Sequence, residues 1–311
     1  MIKKIILPCL LALGLGTSAS AQGHVVPMLS LGGDVRSAGM AGVQPSSSAQ
    51  ANLYSSLTAL LSPVSQDRLR GSYIYGSYPS AESKSRASYH QAALSYSFGK
   101  QALALGWRTY GGIETRYING SGNDLGVVRP VDWSLDLGYA HALGGGLSLW
   151  GRGSYIQSYI SSTATAFALS LGLDYRGGLA FGDYIVGASI QHLGSELQYS
   201  GKQKSQVGLP ARASLSGAIS LLDGRRLTLG AGLHYAMSKQ AGDKKLSYYV
   251  GGEYRPIDLV AVRVGYSVLP VGNQISLGLG FALRGVMLDV AYQTHQLKEY
   301  SLVRLGLSCA L

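Results

Sequence analysis

The chain of 311 residues has little that would build a soluble enzyme. Its two cysteines are Cys9 and Cys309. Cys9 lies in a leader-like segment, so one cysteine remains afterwards and an intrachain disulfide is excluded. Beyond that segment no stretch holds eighteen or more uncharged apolar residues, which leaves no transmembrane helix. Charged residues make up only 14% of the chain. His24, His90, His141, His192, His234 and His295 are scattered singly, without metal-ligand spacing. There is no Gly-x-Ser-x-Gly, and Gly230-x-Gly232 and Gly278-x-Gly280 lack the third glycine and following helix of a dinucleotide loop. These absences give a non-enzymatic reading with no catalytic, cofactor-binding or metal residues and no cofactor.

What is abundant is glycine, 43 residues, and tyrosine, 21. Residues 1–21 read as a secretory signal: Lys3 and Lys4, an apolar run from Ile5 to about Gly16, and a small-x-small Ala19-Ser20-Ala21. Pro8 before Cys9 argues against a lipid anchor. Removing Lys3 and Lys4 takes the 26 basic residues to 24 against 16 acidic, a net charge of +8. With a signal and no nucleic-acid motif, that charge does not indicate nucleic-acid binding. Lys84, Lys202, Lys204, Lys239, Lys244, Lys245 and Lys298 fall in long connections, where they suit solvated loops or contact with lipopolysaccharide.

From about Arg68 onward the residues alternate. Ile275, Leu277, Leu279, Phe281 and Leu283 are apolar, while Gln274, Ser276, Gly278 and Gly280 separate them. Side chains on a strand point alternately to opposite faces, so one face is greasy and the other small or polar. The windows have period two, and a helix needs spacings of three and four. Strands are expected near 68–78, 88–98, 101–110, 131–141, 146–157, 165–176, 183–193, 210–221, 225–236, 246–254, 258–268, 273–283, 286–293 and 300–311. The connections after even strands are mostly short and those after odd strands longer, notably 111–130, 194–209 and 237–245. Together with the signal, this describes an all-β, fourteen-stranded antiparallel transmembrane β-barrel in the outer membrane of a Gram-negative cell, with both termini periplasmic.

Parity assigns Asp136, Arg152, Asp174, Arg176, Arg263, Asp289 and Arg304 to the inner face, where opposed charges would neutralise one another across a narrow lumen. Residues 22–67 do not alternate. Leu53, Leu57, Leu60 and Leu61 have helical spacing, and the segment is expected to form an N-terminal plug or a periplasmic arm ahead of the barrel at 68–311.

LSLGGDVRSAGMAGV (Leu29 to Val43) resembles the amino-terminal motif of the PorV/PorQ family of FadL-like outer-membrane barrels of Bacteroidetes. Asp34, Arg36, Gly39 and Met40 are its distinctive positions. GASIQHLGSELQY (Gly187 to Tyr199), GGEYRPIDLVAVRVGY (Gly251 to Tyr266) and LDVAYQ (Leu288 to Gln293) resemble later motifs, with His192 where asparagine is more usual. Two departures are Tyr54-Ser55-Ser56 in place of an Asn-Pro-Ala step, and a terminal Leu311 in place of an aromatic residue. The resemblance implies a FadL-like fold and an accessory or cargo-attachment role in type IX secretion, with secretion-system proteins or secreted cargo as partners beside outer-membrane lipid and lipopolysaccharide. A FadL-like channel for hydrophobic small molecules is the alternative.

Overall fold

The computed structural model describes residues 26–44, 52–61, 68–79, 86–118, 124–160, 162–199, 205–222, 226–237, 245–270, 272–295 and 301–310. The residues read as a signal, most of the loop lysines and Leu311 lie outside them.

The alternating segments form long strands. In chain order these are β1 (Leu69–Pro79), β2 (Arg86–Phe98), β3 (Gln101–Gly111), β4 (Thr115–Ile118), β5 (Asp124–Val128), β6 (Val131–Gly144), β7 (Leu147–Tyr159), β8 (Thr163–Leu179) and β9 (Gly182–Gly194). They continue as β10 (Leu197–Tyr199), β11 (Ser205–Val207), β12 (Arg212–Leu221), β13 (Leu227–Ala236), β14 (Leu246–Ile257), β15 (Val260–Leu269), β16 (Gly272–Leu283), β17 (Val286–His295) and β18 (Leu302–Ala310). Fourteen of them close into one barrel in the order β1-β18-β17-β16-β15-β14-β13-β12-β9-β8-β7-β6-β3-β2. Neighbours are antiparallel throughout, and the first and last strands meet from Arg70↔Ala310 to Ser77↔Val303.

Closure leaves no strand edge exposed, so backbone groups are satisfied without water. The outer face carries the large apolar side chains: Leu105, Leu137, Phe167, Val264, Leu277 and Leu288 are all exposed, as a surface facing lipid requires. No helix of the described residues is long and apolar enough to cross a membrane.

Two short hairpins were not expected from the alternation. β4 pairs with β5, and β10 with β11, each inside one of the long connections. They add nothing to the barrel wall. β10 turns inward, for Leu197 is fully buried and Tyr199 donates to Ser158 Oγ on β7 at 2.6 Å.

The described residues 26–44 and 52–61 pack against the barrel's inner face. A one-turn 3-10 helix (Pro27–Leu29), a short helix α1 (Val35–Gly39) and a second 3-10 helix (Leu57–Leu61) pack on inward-facing side chains. Asp34 caps α1 by accepting from Ser37 N at 2.6 Å. The inward glycines form the seat: a Cβ on Gly251 or Gly265 would strike the Met40 backbone, and one on Gly278 would come within 3.1 Å of the Gly39 Cα. Gly106 and Gly138 make the same room for Leu53 and Tyr54. The glycines that thin the inner face are thus the floor beneath this segment.

Ala310 pairs with Arg70 at the rim of short turns. Val26, the first described residue, lies inside, in a buried cluster with Tyr78, Tyr89, Leu197 and Leu209 from the opposite, long-loop half. Burial of Val26, Met28 and Leu29 against those apolar groups holds it there.

Candidate functional site in the lumen

The lumen has a polar middle and an apolar outer half. In the middle, Glu253 on β14 collects three guanidinium groups. Arg36 donates to it through Nε and Nη2, both at 2.7 Å, Arg263 donates at 2.7 Å and Arg255 at 2.8 Å. Arg263 also bonds Asp289 on β17, reaching past the glycines of β16 that lie between. Arg36 and Glu253 are both buried, and a carboxylate with several charge-assisted partners is the arrangement that makes burial of such a group tolerable.

Asp136 on β6 is the second centre. Arg108 donates to it at 2.9 and 3.3 Å, Ser134 at 2.7 Å and Tyr54 at 2.8 Å, and Ser154 also donates. The Arg108 guanidinium lies 4.6 Å over the Tyr54 ring, a cation–π contact in a desolvated setting. Burial pushes the Tyr54 phenol above its usual range, so it remains a donor. A third contact joins Thr58 to Asp174 and Arg176 on β8. Arg304 donates to the Gly32 carbonyl at 3.0 Å, and Gln91 to the Gly33 carbonyl at 2.8 Å.

All seven charges assigned inward by parity sit on the inner face, and two are neutralised from a neighbouring strand, Asp136 by Arg108 and Arg263 by Glu253. Arg263 and Asp289 meet each other. Asp136 meets Arg108 rather than Arg152, Asp174 and Arg176 share Thr58, and Arg304 holds a backbone carbonyl. Of the motif residues, Asp34 caps α1, Arg36 binds Glu253, Gly39 lies on Gly278, and Met40 is fully buried. Arg108 and Glu253 escaped the sequence reading although parity was sufficient to find them, since Ala102, Ala104, Gly106 and Arg108 alternate, as do Tyr249, Gly251 and Glu253.

His192 could not be found by parity. β8 and β9 shift register between Leu169 and Leu171, where Leu169 faces Leu193 and Leu171 faces Ile190. The bulge leaves Gln191 and His192 together between two outward-facing residues, so both turn inward. His192 has φ of 59°, a left-handed conformation in which asparagine and histidine are enriched among non-glycine residues.

The outer half of the lumen is apolar. Ile74, Tyr89, Ile156, Ala164, Ala166, Leu197 and Leu209 line a zone filled by Val26, Met28 and Leu29. The arrangement offers a greasy compartment above a salt-bridged floor, and no group of three or more His, Cys, Asp or Glu that could hold a metal ion occurs among the described residues.

No family model matches the sequence, and no curated protein matches it. Solved structures do. The toluene transporter TodX of Pseudomonas putida superposes with a TM-score of 0.61 at 11% identity, over 90% of this chain and 97% of that one. A Pseudomonas aeruginosa FadL homologue gives 0.57 at 12%, over 89% and 95%. The monoaromatic hydrocarbon channel CymD gives 0.56 at 14%, over 90% and 96%. The chain is an outer-membrane β-barrel by fold. Its architecture is that of the fourteen-stranded FadL-like barrels.

Proposed function

We propose that this chain is a FadL-like outer-membrane channel through which hydrophobic small molecules pass. The observation that carries the reading is the apolar outer half of the lumen, whose occupant is the chain's own Val26, Met28 and Leu29. An apolar zone inside a barrel with a polar middle is a ligand compartment in waiting, and displacement of a short segment would vacate it. TodX and CymD, which share the fold, are described as a toluene transporter and a monoaromatic hydrocarbon channel. In this reading the long loops face outward, the short turns face the periplasm, and the loop lysines contact lipopolysaccharide.

The test is entry of a fluorescent naphthylamine into Gram-negative cells expressing the full chain. Expression should speed entry over cells carrying an empty vector. Ala166→Trp, which fills the apolar zone from the wall, should remove most of the gain. Equal rates for the wild type and Ala166→Trp would refute the channel.

A second reading is favoured by the motif residues: Asp34, Arg36, Gly39 and Met40, shared with the PorV/PorQ pattern, are those that seat α1. On that reading the barrel is an accessory of type IX secretion, with secretion-system proteins or cargo as partners. Deleting the gene should then leave cargo unsecreted or unattached; normal secretion would exclude it.

A further inference from the structure

Hydrogen-bonding side chains are not confined to the lumen. On the long-loop half of the wall, the outward face carries Tyr73, Tyr75 and Ser77 of β1 and Arg86, Ser88 and His90 of β2. The register sets Ser77 opposite Ser88 and Tyr75 opposite His90. Arg86 Nε donates to Ser77 Oγ at 2.8 Å, and its Nη2 reaches the Ser77 carbonyl at 3.4 Å. His90 Nδ1 lies 2.7 Å from the Tyr73 hydroxyl, and the His90 ring is 5.4 Å from that of Tyr75. Arg86 is exposed, and among the described residues no carboxylate lies within ion-pair distance of it.

A charge on the lipid-facing side of a barrel is costly at the midplane and tolerated near the interface. Arg86 is the first residue of β2 and faces Pro79, the last of β1, so the cation stands at the rim with His90 four residues further in. Toward the short turns the same face becomes apolar, with Leu94, Leu105, Leu305 and Leu307 all exposed. Ala92, the next outward residue of β2 after His90, is opposite both Tyr73 and Trp107. A small side chain between two rings leaves a notch that leads from the polar cluster down to those leucines. The long-loop ends of β12 to β15 present Ala213, Tyr235, Leu246 and Val268 outward, none of them charged. A general interfacial belt would be alike all round, whereas this cluster is on one side only.

We propose that Arg86 and His90 bind a phosphate on the head group of an outer-leaflet glycolipid, whose acyl chains lie over Ala92 and Leu94 on the outside of the wall. A guanidinium is a planar fork of donors that matches phosphate geometry. When the Tyr73 hydroxyl donates to Nδ1, the ring proton of His90 is on Nε2, a further donor for the same anion. The Ser88 hydroxyl lies between the two on the same strand, and Ser77 and Tyr75 add groups suited to a sugar. Continuity of the cluster with the lipid face favours a lipid over an acidic protein as its partner. The inference rests on the long loops facing outward and is independent of what passes through the lumen.

The experiment is native mass spectrometry of the full chain in a neutral maltoside detergent, titrated with lipid A, dephosphorylated lipid A or phosphatidylglycerol. Lipid A should be held at least about tenfold more tightly than either of the others. Arg86→Gln should lower its affinity about tenfold, Arg86→Lys should keep part of it, and His90→Phe, which preserves the ring, should weaken it severalfold. Lys100→Gln removes an exposed cation from the opposite rim, in the β2–β3 turn, and should change nothing. Equal binding of dephosphorylated lipid A or of phosphatidylglycerol would overturn the proposal. So would unchanged affinity in both Arg86→Gln and His90→Phe, or a loss in Lys100→Gln as large as in Arg86→Gln. In a Cys309→Ser background, Lys100→Cys should stay unlabelled by a membrane-impermeant maleimide in intact cells. Its labelling would overturn the outward placing of the long loops, and with it an outer-leaflet ligand. Loss of the lipid A preference with Lys100→Cys unlabelled would overturn the site alone.

Discussion

Replacing Glu253 with glutamine should unseat the segment that lies in the barrel while leaving the wall intact. Glu253 holds Arg36 at 2.7 Å by two donors and is itself only 2% exposed. Its other partners have alternatives: Arg263 retains Asp289, and Arg255 is partly exposed. Arg36, which gives Glu253 two of its donors, shares the loss. Removing one partner of a buried ion pair costs about 3–5 kcal/mol, and an amide that keeps a single hydrogen bond puts the substitution at the lower end, about 3 kcal/mol. At about 1.4 kcal/mol per tenfold, that is roughly a hundredfold change in the equilibrium between seated and released segment. Met40, fully buried against Gly251 and Gly265, is the reporter. In a Cys309→Ser background, Met40→Cys should be protected from a water-soluble maleimide, and adding Glu253→Gln should speed its labelling by about two orders of magnitude. The wall should remain folded, as shown by retained heat-modifiable migration on gels. Labelling at an unchanged rate in a folded barrel would refute the assignment of Glu253 as the latch.

Further substitutions test separate parts of the account. Gly265→Val pushes a side chain into the Met40 backbone and should release the same segment, whereas Gly153→Ala, with nothing within 4 Å of its added Cβ, should have no effect in the labelling assay. His192→Asn keeps a residue suited to φ of 59° and should leave urea unfolding in lipid vesicles almost unchanged, whereas His192→Val should lower stability by about 1–3 kcal/mol. Leu279→Arg puts a charge on the lipid face and should cost about 2–4 kcal/mol if that position is near the bilayer midplane, read from the same unfolding curves.

The wall was legible because each strand repeats one physical rule. Ile275, Leu277, Leu279 and Phe281 face lipid and Gln274, Ser276, Gly278 and Gly280 face inward, and the sequence shows that division at every step. Fourteen such stretches give fourteen barrel strands. The hairpins β4–β5 and β10–β11 were not legible, since their strands are at most five residues long and too short to show a period. Parity located the seven inward charges but could not pair them. Pairing depends on which strands the barrel brings across the lumen and on what stands between them: Arg36 and Glu253 are 217 residues apart in sequence. The bulge at Gln191 and His192 was hidden for the opposite reason, because it breaks the alternation on which the reading relied.

The two carbonyls of Gly32 and Gly33 are neighbours in the chain, yet they are held from opposite sides of β1. Arg304 of β18 takes the first and Gln91 of β2 takes the second. The β1–β18 ladder is where the sheet's two ends join. A sheet still open there cannot present both donors to one dipeptide, and a dipeptide gripped by both draws the two ends together. The Gly32-Gly33 dipeptide is thus a tie across the closure, and a barrel that lost it would lose a link between its two ends that the ladder hydrogen bonds do not supply.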